Sequence, residues 1–366
     1  MEVEGADGSI RQPVVRALSF HSAYRCQNTG VCCSSGWDIA VEGGVEARLT
    51  KLLGRTPQRL PNGPGGFRPM PDPPANCKSA LRLVESTGAC WFRDESGRTC
   101  ALHRDFGEDV LPSACRQFPR ICVIEPDVVS VSLSHYCPTA AGLLFGDADA
   151  FGLVTEPKAF PSTWPFEGLD ARHAYPPFLR PGVLLGFDGL RILEEQAVGV
   201  LSRESLWPAM EIIDAAVEGA RSWTAEAGSV CERVVRSFVS RDGHVDHGPL
   251  ATDPRPILLG SLTEGTVPSA GLPPFQPGPP ALSALADLAL RKYLASRLIA
   301  AWITFQADDL RSVVKYLRLC LNTALLFASA RTAGESEGTR WREAIRTTDL
   351  WILHYSDPDL LARNLR

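Results

Sequence analysis

"CQNTGVCC", residues 26–33, places Cys26, Cys32 and Cys33 within one short stretch, the last two adjacent. The chain holds 11 cysteines, and only Cys231 and Cys320 lie beyond Cys137. How this density is read decides the fold of the first half. In an oxidising compartment it would be a disulfide framework; in a reducing one, clustered thiols serve metal binding or redox chemistry. An odd count would also leave one thiol of a disulfide framework unpaired. The opening residues, "MEVEGADGSIRQPVVRALSF", are acidic and contain no apolar stretch of signal-peptide length. A cytoplasmic protein with a metal or Fe–S site is therefore expected.

Working outward, the thiols continue as Cys77, Cys90, Cys100, Cys115, Cys122 and Cys137. Thiolates are soft ligands suited to zinc and to Fe–S clusters. Zinc sites usually take ligands in closely spaced pairs, yet no C-x2-C occurs here. Ligands scattered over so long a stretch suit a centre held by several loops, and Fe–S clusters commonly take four thiolates. Adjacent Cys32 and Cys33 point different ways on an extended backbone, so they serve two centres, or one ligates while the other supports it. Cys137 precedes Pro138 at an expected helix N-terminus, where backbone N–H groups lower a thiol pKa. Cys115 lies beside Arg116, which also favours thiolate. Cys122 alternates with apolar residues in a strand and reads equally as a ligand or a core thiol. Cys231 and Cys320 sit in apolar helical patterns and read as packing residues. His103, in a Cys-x2-His pair with Cys100, is either a ligand or a hydrogen-bonded structural residue. Trp37 reads as a hydrophobic lid over the site. His135 and Tyr136 directly precede Cys137 and either line a pocket or pack.

The fold class expected is α+β. A lead-in over 1–17 is expected to be flexible. A loop-rich cysteine-cluster domain over 18–145 follows, with short strands and helices, and then a mainly helical half over 146–366. "VEARLTKLLG" (45–54) reads as a short helix ending at Gly54. "ICVI" and "VVSVSL" flank Glu125-Pro126-Asp127 as a β-hairpin. "SALRLVE" and "ACWF" suggest another. Helical periodicity puts Leu190, Leu193, Ala197, Val200 and Leu201 on one face, and Val230, Val234, Val235 and Phe238 on another. Residues 241–280 contain nine prolines and read as a long loop, before helices near 281–305, 307–332 and 338–355. Net charge is −5, without the basic patch or stripe of a nucleic-acid binder. The longest apolar candidate, "YLASRLIAAWITF", carries Arg297 and falls short of the roughly 18 residues of a membrane span, so neither nucleic acid nor membrane is an expected partner.

These motifs resemble a known group. "CQNTGVCC" is similar to the CxxCGxCC signature of a cysteine-cluster family of zinc- or iron-chelating domains. "GACWFRDESGRTCALHRDFGEDVLPSACRQFPR" (88–120) resembles that family's second block. Followed by "VSLSHYCPTAAGLLF", it looks like the flagellin lysine-N-methylase branch, whose helical tail is similar in layout. The resemblance implies methyl transfer from S-adenosylmethionine to lysine side chains of a protein, with flagellin as the candidate substrate, by an enzyme carrying a 4Fe–4S cluster. It implies Cys26, Cys32, Cys33, Cys90, Cys100, Cys115 and Cys137 as metal ligands. Thr29 departs from the pattern, standing where the signature has its second cysteine and leaving the first block one thiolate short. His103, His135 and Tyr136 are the candidates nearest the motifs for a base that takes the lysine proton. No G-x-G-x-x-G follows a strand, so no cofactor loop is legible. The rival expectation is a non-catalytic zinc- or iron-chelating protein that handles metal or assists maturation; a thiol redox enzyme lacks its C-x-x-C.

Overall fold

The computed structural model describes residues 3–4, 10–56, 61–63, 65–94, 96, 98–146, 150–240, 252–263, 271–276, 280–331 and 334–366. It is an α+β protein whose chain divides into two compact units. One comprises Met1–Tyr24, Arg120–Tyr136 and Ala140–Arg366; the other comprises Arg25–Pro119 with Cys137–Thr139. No helix among the described residues is long and apolar enough to cross a membrane.

The first unit is built on a five-stranded sheet in the order Leu153–Thr155, Val14–Leu18, Val128–Leu133, Arg120–Ile124, Leu169–Asp170. The expected hairpin forms: Val129 faces Ile124 and Leu133 faces Arg120 across an antiparallel ladder. The lead-in expectation fails at its end. Val14–Leu18 is a strand, running parallel to Val128–Leu133 with Val15 opposite Val129, and Val15, Ala17 and Leu18 are fully buried. The units divide the chain differently from the expected 18–145 block: residues 18–24, 120–136 and 140–145 fall in the first unit, whose sheet the 120–133 hairpin completes.

Val128–Leu133 is buried at every position, as a strand covered on both faces must be. Its two serines are tolerated because each is hydrogen-bonded. Ser130 accepts from Arg16 Nε at 2.8 Å, and Ser132 donates to the Ser296 carbonyl at 2.5 Å. The helices Gly186–Arg203, Leu206–Arg221, Ala284–Leu298, Arg311–Ser329 and Glu337–Asp349 contribute to one apolar core. The face read on 190–201 is buried as expected. On Val230–Ser240, Val234 is buried but Val235 is 38% exposed, so that helix turns a narrower face inward. Within the expected 241–280 loop the structure places a helix, Arg255–Gly260, and a bridge from Leu262 to Ser356. Residues 241–251, 264–270 and 277–279 lie outside the described residues.

A buried charge cluster ties this sheet to its first long helix. Arg16 forms a close ion pair with Glu194 and stands 3.7 Å from Glu125, which also accepts from Arg191 Nε at 2.8 Å. Burial pushes the Glu194 carboxyl up to about 7, against the pull of Arg16. An acid whose pKa is raised on folding takes up protons in the native state. Its stabilising contribution is complete below its unfolded pKa near 4.5 and is lost as pH rises through 7. Glu194→Gln should therefore gain stability relative to the parent between pH 4.5 and pH 7, by up to about 3 kcal/mol. Urea titrations of both proteins at several pH values check this; parallel stability–pH curves would contradict it.

Candidate metal centre

The cysteine unit has little regular structure. A three-stranded antiparallel sheet, ordered Ala40–Glu42, Cys77–Leu81, Phe67–Pro69, packs with the helix Gly43–Arg55. That helix runs one residue past the expected Gly54 and buries Val45, Leu49 and Leu53. These join Val41, Leu81, Phe92, Leu102, Val110 and Leu111 in a small core, which also contains Cys90 and is flanked by Cys33, Cys100 and Cys115. The expected "SALRLVE"/"ACWF" hairpin is reduced to one bridge, Leu83 to Cys90, because Cys77–Leu81 pairs with the two other strands instead.

Three separate stretches deliver four thiols to one place. Cys32 and Cys33 open a single 3-10 turn, Cys32–Ser34. Cys90 is latched to that turn by its N–H, which donates to the Cys33 carbonyl at 2.7 Å. Cys100 ends the hairpin Arg93–Asp94/Thr99–Cys100 and caps the short helix Ala101–Phe106. The Cys33 thiol then meets Cys100, Cys32 and Cys90 through side-chain hydrogen bonds. Adjacent Cys32 and Cys33 thus turn towards one site rather than two, because a tight turn, not an extended strand, carries them.

The turn depends on two residues that are not thiols, Gly30, which stands at the glycine of the CxxCGxCC signature, and Asn28. Gly30 adopts φ +64°, and a Cβ there would lie 2.6 Å from the Arg98 carbonyl oxygen. Asn28, also at positive φ, accepts the Cys100 N–H on its Oδ1 at 3.3 Å. Asn and Gly as turn-forming residues are a sequence signal common to both. Gly30→Ala should cost about 1–3 kcal/mol from backbone strain, with further loss from the clash. Reduced metal content in the purified variant, at unchanged content for Gly44→Ala, is the expected reading, since a Cβ on Gly44 meets nothing within 4 Å.

Crowded thiols polarise one another. Cys100 is lowered to about 7, first by its hydrogen bond to Cys33 and then by the His103 and Leu102 backbone N–H groups at the helix start. Cys32 is lowered by the Cys33 hydrogen bond. Cys33 is the group that keeps its proton, pushed up chiefly by its bond to Cys100. Cys115, on the helix Ser113–Gln117, is raised by burial and then by negative charge on Cys100, Cys90 and Cys32. The expectation that Arg116 draws Cys115 to thiolate therefore fails: desolvation dominates. Among the described residues no three His, Cys, Asp or Glu side chains are drawn into ready metal-ligand geometry. The sulfur atoms are instead joined by hydrogen bonds. Four soft donors gathered around the Cys33 sulfur, two of them with lowered pKa values, nevertheless match the donor chemistry of a thiophilic metal.

The other expected residues fall as follows. Cys26 is exposed, its sulfur accepting the Asn28 N–H at 3.3 Å. Cys137 is buried, directly precedes the helix Pro138–Leu143 as expected, and is grouped with the cysteine unit. Cys77 starts a strand and is half-buried. Cys122 lies in the other unit, fully buried, with burial pushing its thiol to about 12, so the core alternative describes its setting. Cys320 is likewise buried and raised to about 12, whereas Cys231 is only partly covered. Trp37 packs beside Phe118, ring centroids 5.7 Å apart. His103 is half-buried and offers the site its backbone N–H. His135 and Tyr136 belong to the other unit. His135 is fully buried, and its pKa is lowered by burial despite Asp349 Oδ2 at 3.3 Å. The Tyr136 ring stands 5.6 Å from the Arg346 guanidinium. A sealed His135 is poorly placed to take a proton from a protein lysine.

No protein-family model, curated protein or solved structure matches this chain.

Proposed function

We propose that the protein is a thiolate-ligated metal protein whose centre is held by Cys32, Cys33, Cys90 and Cys100, with Cys115 beside it. The observation that carries this reading is the convergence of those thiols from three stretches onto the Cys33 sulfur. When bound, the metal supplies positive charge where thiolate charge accumulates, and it holds together loops that own only a small core. The chain's own part is to present the sulfurs: the Gly30 turn carries two, and the Asn28 latch and the Cys90 N–H fix the others.

For the activity we propose, on the sequence resemblance, S-adenosylmethionine-dependent methylation of protein lysines around a 4Fe–4S cluster, in the cytoplasm and with flagellin as a possible substrate. The lysine amine attacks as the neutral base, the N–C bond forms as the sulfonium C–S bond breaks, and the amine proton passes to a base or to water. Anaerobic purification with iron, zinc and sulfide analysis tests the centre. Calorimetry with S-adenosylmethionine, and a search for methylene mass increments on lysines of flagellin, test the activity. No cofactor binding by the folded, metal-replete protein would exclude the methylase and leave a metal-handling protein.

Zinc is the second reading, since thiolates are soft ligands suited to it as well as to Fe–S clusters. A colourless protein with stoichiometric zinc and no sulfide would select that reading.

A further inference from the structure

Cys33 and Cys90 are joined twice. The Cys90 N–H donates to the Cys33 carbonyl at 2.7 Å, and the two thiols meet through a side-chain hydrogen bond. A backbone bond between two such residues brings their Cα atoms to roughly 5–6 Å. That lies inside the span of about 4.4–6.8 Å that a disulfide takes. Cys90 is fixed in this place, since the Trp91 N–H donates to the Arg82 carbonyl at 2.8 Å and the Arg93 N–H to the Cys90 carbonyl at 2.9 Å. Cys33 is half-buried and Cys90 is buried, so a small oxidant reaches the first sulfur while the second is sheltered beside it.

The other thiols around Cys33 are less well placed for a bond. Cys32 is its neighbour in the turn Cys32–Ser34, and a bridge between adjacent residues strains the planar peptide that joins them. Cys100 is anchored elsewhere, with its N–H on Asn28 Oδ1 at 3.3 Å and its chain running on into the helix Ala101–Phe106. The loop that a Cys33–Cys90 bond closes carries the helix Gly43–Arg55 and the strands Ala40–Glu42, Phe67–Pro69 and Cys77–Leu81. These are the regular elements on which the small core of the unit is built. A cross-link at the base of that loop restricts the unfolded chain and so takes over part of what metal binding does for folding.

We propose that the cysteine unit is a thiol–disulfide switch, in which a hydroperoxide joins Cys33 to Cys90, displaces the metal and leaves the unit folded. The displacement rests on the proposed centre, whereas the pairing rests on the two thiols alone. The Cys33 sulfur takes the terminal oxygen of the peroxide, the O–O bond breaks and an alcohol or water leaves with the thiol proton. The Cys90 sulfur then attacks the resulting sulfenic acid. The S–S bond forms, the S–O bond breaks, and the hydroxyl leaves as water with the Cys90 proton. Two thiols have lost two electrons and the peroxide has gained them; from the metal-bound thiolates the two protons come from solvent. The bridged sulfurs carry no charge, so the centre loses two of its four ligands. A dithiol reverses the bond by exchange.

Hydrogen peroxide is added to the full-length protein, both as purified anaerobically and after treatment with a chelator, and free thiols are then alkylated before peptide mapping. Expected in both is a peptide pair linked through Cys33 and Cys90. In the metal-bearing protein the metal should leave as the link forms, and dithiothreitol with added metal should restore it. Under limited proteolysis the linked, metal-free unit should survive about 10-fold longer than the reduced, metal-free unit, because cleavage follows the open population that the cross-link suppresses. Cys90→Ser should gain no such protection from peroxide. Linkage of Cys33 to Cys32 or Cys100 instead, or sulfinic acid without any link, overturns the switch. So does a linked protein that keeps its metal, or one that is cleaved as fast as the reduced form. A chain purified without metal that still links Cys33 to Cys90 supports the pairing and removes the metal reading.

Discussion

Cys33→Ser is expected to strip the metal from the protein and to leave residues 25–119 open to protease, while the other unit stays folded. Cys33 is the sulfur that touches Cys32, Cys90 and Cys100 at once, so its loss removes a ligand and the hub of the cluster together. Structural zinc contributes about 10–16 kcal/mol to a small domain, comparable with or larger than the whole stability of an ordinary one, about 5–15 kcal/mol. The core of the cysteine unit is modest and includes the cluster thiols themselves, so little remains to hold the loops. Cys320→Ser should behave differently, keeping the metal at a packing cost of about 1–3 kcal/mol. Metal analysis with limited proteolysis distinguishes the two. A Cys33→Ser protein with parental metal content would remove the assignment of the centre to these four thiols.

Asp349→Ala should destabilise the other unit by about 3–5 kcal/mol, because it strands a buried cation. Asp349 has no exposure and serves several partners. It accepts the His135 N–H at 2.5 Å and the Tyr293 hydroxyl at 2.8 Å, and faces Arg297 at 3.6 Å. Burial alone would raise its carboxyl, yet Arg297 and His135 hold it below the ordinary range. The Asp349→Ala, Arg297→Met double variant should recover part of the loss, since removing both charges removes the uncompensated one. A double-mutant cycle by urea unfolding measures the coupling; additive losses would show that the two charges do not depend on one another.

The sequence carried the α+β class because its signals were local. The helical period of 190–201, the turn between Ile124 and Val128 and the proline after Cys137 each act within a few residues. What it did not reveal is pairing over distance. Val14–Leu18 reads as the end of a polar lead-in until Val128–Leu133 is placed beside it. Arg16 likewise looks like a surface residue until Glu194 and Glu125 are brought to it. In the candidate site, Cys32, Cys33, Cys90 and Cys100 were legible as candidate ligands among seven cysteines, but not as one group, since the adjacent pair left one centre or two open. The Asn28 and Gly30 contacts were not, because a latch onto Cys100 and a close approach to Arg98 depend on a loop that returns about seventy residues later. Arg116 misled for a related reason: adjacency in sequence says nothing about how far burial will penalise the Cys115 thiolate.

The split sheet also sets an order of events during synthesis. Arg16 and its partner Ser130 are 114 residues apart in the chain, and the whole of Arg25–Pro119 is made between them. At about 5–20 residues per second, Val14–Leu18 leaves the ribosome roughly 6–23 s before the strand it pairs with. For that interval a valine-rich strand has no neighbour and is open to pairing with other chains. The cysteine segment emerges within the same interval and has everything its own core requires. A ribosome-attached chain just long enough for residue 119 to have left the ribosome should thus hold metal while Val128–Leu133 is still inside it.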